Sequence, residues 1–311
     1  MFADLHNHTK ASDGEYTPEE LIKAAHGLGT RFVGITDHDT FDGVLSLPRS
    51  ALYYSGDGCS VVPGAELTLR FSQEHDGCVG TLHCLVYVPS DLLDSPEFIR
   101  DARQTLEQAR GSELTRARVD KLNECFFGEE ATEKQILTHK ISAEEVEAFP
   151  GVTTRRHFFL ALTQNHGLDS TTARSMLGNS SPAYVPSGAT CEQLRPFFER
   201  YPSLVKVLAH PGAGSAEGPE MALYRECLLP VETVERLVPS IDSIIGLNGV
   251  EVHYPAHNAE LRSRVLALLR EKDFIVTGGS DCHDHIQRPL AKGGIDEHLF
   301  DVLRSKLYGP H

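Results

Sequence analysis

Seven short runs of β-branched and apolar residues, at 3–8, 32–36, 61–71, 81–88, 204–209, 249–252 and 274–278, have the length of buried strands, and helical signals separate most of them. Strand alternating with helix predicts a parallel sheet, open or closed into a barrel, because a parallel neighbour is reached through a crossover that a helix fills. Several helices announce their caps. Thr17-Pro18-Glu19-Glu20 combines a capping box with a proline at the first helical position, opening an amphipathic stretch that stops near Gly27 and Gly29. Asn258 opens another that continues to Leu269, and the chain finishes on a helical pattern from His298 to Leu307.

The alternation lapses between about residues 95 and 201, where the pattern is almost wholly helical. Ser95-Pro96-Glu97 starts one segment, Ser142-Ala143-Glu144-Glu145 a second, and Arg155 to Thr163 forms a third. The expected organisation is a barrel in two parts, residues 1–95 and 202–311, interrupted by a helical insertion over 96–201 that caps the substrate. Pro182, Pro186 and Gly188 break the chain as it returns to the barrel. The insertion carries Arg100, Arg103, Arg110, Arg116, Arg118 and Lys121, but acidic residues are interleaved with them, which reads as a solvated helix face rather than a nucleic-acid stripe.

Composition narrows the setting. The seven Cys are odd in number and scattered, with no C-x-x-C pair, which argues against a disulfide framework or a thiolate zinc knot and fits a reducing cytoplasm. No basic region precedes an apolar stretch at the N-terminus, and no apolar run approaches the ~18 residues that span a bilayer, so neither secretion nor a membrane partner is expected. A net charge of −15 disfavours duplex DNA as a partner. Any phosphate handled here needs local cations. Oligomeric state is left open.

Titratable side chains recur where strands emerge. His6 and His8, two residues apart at the end of the first run, project to one face and can meet one ion. Asp13 follows in a Ser-Asp-Gly turn, where plain turn chemistry is the competing explanation. Asp37, His38 and Asp39 come directly after the second run. Glu66 lies among Val61, Leu67 and Leu69, and a carboxylate there is costly to bury unless paired or metal-bound. His83 sits inside Leu82-His83-Cys84, His210 ends the fifth run, and Asp281 and His283 follow the seventh. This mixture of nitrogen and oxygen donors suits borderline divalent ions, and its size suits two or three of them, with Mn²⁺, Zn²⁺ and Fe²⁺ all compatible.

Taken together, Asp4-Leu5-His6-Asn7-His8, Thr36-Asp37-His38-Asp39, Gly64-Ala65-Glu66, Leu208-Ala209-His210-Pro211-Gly212 and Ser280-Asp281-Cys282-His283 resemble the PHP (polymerase and histidinol phosphatase) family of metal-dependent phosphoesterases. The resemblance implies a distorted (β/α)7 TIM-like barrel. It also implies three ion sites: His6, His8, Glu66 and Asp281; Glu66, His83 and His210; and Asp13, His38 and His283, with Glu66 bridging the first two. Within the family the chain looks most like the stand-alone nucleotide phosphatases and exoribonucleases. Arg155 and His157 are then implied as phosphate contacts, with His257 a further candidate; relatives carry a small residue, often Pro, where Arg156 stands.

The implied reaction is hydrolysis of a phosphate ester of a small nucleotide, whether AMP, a 3′,5′-bisphosphonucleotide or a short oligoribonucleotide. A metal-bound hydroxide would be the nucleophile, with Asp37 orienting a ligating imidazole from behind. Three other readings stay open: a histidinol-phosphate or cyclic-phosphate phosphoesterase, a metal-dependent C–N hydrolase, and a non-catalytic metal- or nucleotide-binding module. Arg155, His157 and Tyr184 lean against histidinol phosphate. The set Asp13, His38 and His283 supplies a site that C–N hydrolysis does not need.

Overall fold

A computed structural model describes residues 1–52, 58–218, 221, 228–270 and 273–308. All seven runs form strands: β1 (Ala3–Asp4), β2 (Phe32–Ile35), β3 (Ser60–Phe71), β4 (Gly80–Tyr87), β5 (Val205–Ala209), β6 (Gly249–His253) and β7 (Ile275–Gly278). They join in one sheet in chain order. Beyond β1 the chain lies along the end of β7, with Leu5 N donating to Gly278 O at 3.1 Å and Asp281 N to His6 O at 2.8 Å, so the sheet edges meet in a nearly closed, distorted barrel.

The sheet is not wholly parallel. β4 runs antiparallel to both β3 and β5. Only residues 72–79 link β3 to β4, fewer than the dozen or so that a parallel crossover needs. The chain instead reverses through a single helical turn that Ser72 caps and Gly77 ends at φ 66°. The reversal matters for the site. The barrel end formed by the carboxyl ends of the other strands is the end where β4 begins, and His83 stands near that beginning.

Single turns aside, the helices before β5 are α1 (Pro18–Gly27), α2 (Pro96–Arg110), α3 (Ser112–Phe126), α4 (Ala143–Glu147), α5 (Arg155–Leu160), α6 (Ser170–Leu177) and α7 (Cys191–Arg200). After it come α8 (Val231–Ile245), α9 (Ala259–Ala267) and α10 (Glu297–Tyr308). The capping box at Thr17 forms as the sequence predicts, and α1 buries Leu21 and Ala25. α5 ends at Leu160 and passes into a π-helical turn, Ala161–Asn165.

The helices over residues 96–201 do two different things. Phe98, Ala102 and Leu106 of α2 and Leu194, Phe197 and Phe198 of α7 join the same apolar cluster as Val61, Leu67, Leu208 and Val250 of the barrel. Between them, Val119, Leu122, Phe158, Leu162 and Met176 build a cluster of their own. Among the described residues no helix is long and apolar enough to cross a membrane, and the cysteines described are free thiols.

Asp4 ties the closure together. Its carboxylate accepts from Ser280 N at 2.8 Å, Ser280 Oγ at 2.6 Å, Asn7 Nδ2 at 3.1 Å and Ala291 N at 3.2 Å, so one buried side chain of β1 collects the segment after β7. Burial pushes this carboxyl up to about 6, against the Ser280 and other donors that favour its charged form. Replacing it strands several buried donors. Asp4→Ala is expected to lower the unfolding free energy by about 2–4 kcal/mol. The measurement is the urea midpoint at unchanged m-value, and a loss below about 0.5 kcal/mol would show that closure stands without Asp4.

Candidate metal centre

The nine side chains singled out as ligands, His6, His8, Asp13, His38, Glu66, His83, His210, Asp281 and His283, lie together at one end of the barrel. Their donor atoms fall into four overlapping groups, each within 4.8 Å: His8, Asp13, His38 and His283; His6, Glu66 and His210; His6, His8 and Asp281; and His38, Glu66 and His83. Glu66 belongs to two of the groups and reaches the most imidazoles. Its Oε1 stands 3.2 Å from His6 Nε2, 2.9 Å from His83 Nδ1 and 3.0 Å from His210 Nε2, while Oε2 stands 2.9 Å from His38 Nδ1 and 3.4 Å from His8 Nε2.

Strand register produces this convergence. Glu66 lies within β3, but β3 outruns β2, so that Glu66 bridges to His38 just beyond the end of β2. His83 pairs with Thr68 on one side and Ala209 on the other, which sets it beside His210. Three non-glycine residues here adopt positive φ: Asp39 (48°), His210 (28°) and Asp281 (51°). Such conformations cost on the order of 1–3 kcal/mol each and persist where neighbours hold them. The holds are visible: His210 N donates to Glu251 Oε2 at 2.9 Å, Asp281 N to His6 O at 2.8 Å and Asp39 N to Glu66 O at 2.9 Å.

Asp281 divides its two oxygens. Oδ2 accepts from Tyr254 Oη at 2.8 Å and from Arg288 at 3.0 Å, leaving Oδ1 toward His8 Nε2 at 3.2 Å and His6 Nε2 at 3.6 Å. Burial alone would raise the carboxyls of Glu66, Asp281 and Asp13. The imidazoles around Glu66, Arg288 with the imidazoles beside Asp281, and His283 with His38 beside Asp13 instead hold all three well below the usual carboxylate range. Burial drives His83 down to about 4, and burial aided by Arg288 drives His283 to about 3, leaving both rings neutral as ligation requires. His6 goes the other way, because Glu251, Glu66 and Asp281 outweigh its burial.

The donor set fits divalent cations. His8 Nδ1, Asp13 Oδ1, His38 Nδ1, Glu66 Oε2, His83 Nδ1 and His283 Nε2 are all buried without a hydrogen-bond partner. Even the 2.9 Å approach of His38 Nδ1 to Glu66 Oε2 lacks the alignment of a hydrogen bond. So many orphaned polar atoms facing one another are costly unless something else coordinates them.

Other expected residues stand differently. Asp37 reaches no imidazole in hydrogen-bonding geometry. Its carboxylate accepts from Thr9 N and Ser12 Oγ, each at 2.7 Å, and from Thr9 Oγ1 at 2.8 Å, so it shapes the loop between His8 and Asp13. The carboxylate behind His6 is Glu251 of β6, fully buried, with both oxygens 3.2 Å from His6 Nδ1. Sequence carried the signal for Glu251 that singled out Glu66, an acid inside an apolar strand.

His157 and His257 do not line the pocket above the centre. His157 Nδ1 accepts from Thr154 N at 2.9 Å and its Nε2 donates to Pro150 O at 2.9 Å. His257 Nε2 accepts from Gly212 N at 3.0 Å and Nδ1 donates to Val252 O at 3.1 Å. Both rings hydrogen-bond to backbone at each nitrogen, and burial lowers the pKa of each, that of His257 to about 4. Arg155 does line the pocket, held by Asn179 at 3.1 Å, with its guanidinium 5.8 Å from the Tyr184 ring centre. Arg110, Arg156, Arg174 and Arg288 line it too and were not singled out as phosphate contacts from sequence.

Residues 4–205 match the PHP domain family. The chain belongs to the PHP family. Among PHP relatives, 5′-3′ exoribonuclease Rnm of Escherichia coli (strain K12) is 26% identical over 283 residues, covering 90% of this chain and 84% of that protein. Rnm of Salmonella typhimurium (strain LT2) is 28% identical over 284 residues with the same coverage. A solved structure of a candidate metal-dependent phosphoesterase from Bifidobacterium adolescentis superposes with a TM-score of 0.71 at 23% identity, covering 98% of this chain and 96% of that one. A structure of an amidohydrolase from Chromobacterium violaceum superposes equally well, with a TM-score of 0.71 at 18% identity, over 98% and 97% of the two chains. These two likenesses speak for the fold alone.

Glu251 gives this PHP centre a sharp test. Glu251→Gln keeps the shape but removes the charge that fixes the His6 ring, and it is expected to weaken divalent-ion affinity about 10- to 100-fold. Calorimetric titration of the metal-free protein with Mn²⁺ measures this, and unchanged affinity would show that His6 needs no carboxylate behind it.

Proposed function

We propose that this PHP-family metal-dependent phosphoesterase acts on a small nucleotide, releasing phosphate from AMP or a 3′,5′-bisphosphonucleotide or cleaving a short oligoribonucleotide. The observation that carries the reading is the pocket above the centre. Asp13, His38, Glu66, His83, His210 and Asp281 contribute to its floor, and five arginines, Arg110, Arg155, Arg156, Arg174 and Arg288, stand in its walls. In a chain of net charge −15 that concentration of guanidinium is a local reversal of sign, suited to an anionic ligand. Phe159, Leu177 and Leu228 add apolar wall on which a base or sugar can pack.

Four of the arginines are already engaged: Arg110 with Asp39, Arg155 with Asn179, Arg156 with Asp284 and Glu15, and Arg288 with Asp281. Arg174 lies over the Phe159 ring at 5.5 Å, and its buried Nε has no hydrogen-bond partner. Arg174 therefore has the clearest claim on substrate oxygens, and Arg155, bonded to the neutral amide of Asn179, is the second candidate. The nine ligands would hold two or three ions, of which Mn²⁺, Zn²⁺ and Fe²⁺ suit the donors. Ions bound there would supply Lewis acidity, polarising a phosphoryl oxygen and making water acidic enough to attack at neutral pH. The arginines would orient the ester and offset charge on its outer oxygens. The segment over residues 96–201, with Arg155, Phe159 and Arg174, would be the part that recognises the nucleoside, and the free thiols agree with a cytoplasmic setting.

The Mn²⁺-loaded protein is expected to release phosphate or mononucleotide from 3′,5′-bisphosphoadenosine, AMP or short oligoribonucleotides in preference to a cyclic phosphate or histidinol phosphate. Arg155→Ala should lower kcat/KM by about 10- to 100-fold, the value of a charge-assisted contact of roughly 1.5–3 kcal/mol. Turnover of histidinol phosphate alone would overturn the nucleotide assignment while leaving the phosphoesterase chemistry.

A further inference from the structure

Two contacts of the insertion with the metal centre lead to one group of ligands. Ahead of α5 the chain lies backbone to backbone on the loop that carries Asp13. Val152 N donates to Ala11 O at 2.9 Å, and Gly151, at φ 90°, comes so near that a Cβ there would stand 2.2 Å from Ser12 O. Thr154 then donates its hydroxyl to Asp13 Oδ2 at 2.8 Å. That occupies one carboxylate oxygen and leaves Oδ1, without a hydrogen-bond partner, 3.3 Å from His283 Nε2. Thr154 is itself held from behind by His157, whose ring links Thr154 N to Pro150 O.

The second contact comes from the end of α2. Arg110 pairs with Asp39 and donates to Thr68 Oγ1 at 2.6 Å, and Asp39 accepts from Thr68 N at 2.7 Å and Thr68 Oγ1 at 2.8 Å. The ion pair is buried, with side-chain exposures of 6% for Arg110 and 1% for Asp39. Asp39 directly follows His38 and holds the left-handed conformation through which the chain leaves that ligand. Asp13 and His38 share one ligand group with His8 and His283, and His38 belongs also to the group of Glu66 and His83. Glu66, His83, His210 and Asp281 take their hydrogen bonds and ion pairs from barrel residues among those described.

We propose that the insertion assembles the third cation site: Thr154 and Arg110 are positioning residues for Asp13 and His38, so the ion held there depends on docking of the insertion in a way that the ions around Glu66 do not. The inference rests on the three-ion reading above. Partners behind a ligand orient its donor atom, and their loss typically weakens metal affinity about 10- to 100-fold.

The test titrates Mn²⁺ into the full-length metal-free protein and follows bound metal by elemental analysis at fixed free Mn²⁺, with circular dichroism to confirm folding. Thr154→Val is expected to keep the ions around Glu66 at close to wild-type affinity and to bind the third about 10- to 100-fold more weakly, and Arg110→Gln to weaken the third more than the others. Thr154→Ser, which keeps the hydroxyl, should restore it. Arg110→Gln leaves Asp39 buried without its cation and has its own folding cost, so the Thr154 pair carries the test independently. A wild-type protein that never takes up a third ion would remove the three-ion reading itself. A wild type that does, with third-ion affinity unchanged in Thr154→Val or with all affinities falling together, would overturn the role of the insertion alone.

Discussion

Glu66 is a carboxylate fully removed from water, with five imidazoles, those of His6, His8, His38, His83 and His210, within 3.4 Å of its oxygens. Leaving a buried charge uncompensated costs several kcal/mol, so the surroundings of Glu66 have to be supplied by the fold. They come from strand ends far apart in sequence: the exits of β1, β2 and β5, and the start of β4. The length of β3 lifts Glu66 to the level of the other strand ends, and the reversal of β4 brings His83 to that same level. Positive φ at Asp39, His210 and Asp281 belongs to the same arrangement, strain placed where donor atoms have to point inward.

Much of this was legible in the sequence because it rests on local signals. The seven strands follow from short apolar runs, the capped helices from Thr17, Ser95, Ser142 and Asn258, and the cluster of donor side chains from titratable residues where those runs end. What was missed depends on tertiary geometry. The direction of β4 turns on a loop too short for a crossover. His157 and His257 look like phosphate contacts in sequence, and only the structure shows their rings consumed by Thr154, Pro150, Gly212 and Val252. Sequence likewise does not report that Asp37 bonds Thr9 and Ser12 while Glu251 stands beside His6, since both contacts join segments far apart in the chain.

The chain is strongly acidic, yet the walls of its pocket are basic, and the two facts are connected. Carboxylates gathered at the floor make it negative, and arginines held by Asp39, Asp281, Asp284 and Asn179 keep positive charge in place above it. An anionic ester then meets guanidinium groups whose positions are already fixed, which limits the ordering cost of binding. The helices over residues 96–201 are part of this device, since some pack into the barrel core while others carry Arg155, Phe159 and Arg174 to the pocket.

We propose that Glu66 is shared between ions, and anomalous diffraction at the manganese edge from crystals of Mn²⁺-loaded protein tests this most directly. The account predicts at least two peaks about 4 Å apart, each beside a different oxygen of Glu66. A single peak, or peaks coordinated by the histidines with Glu66 turned away, would contradict it.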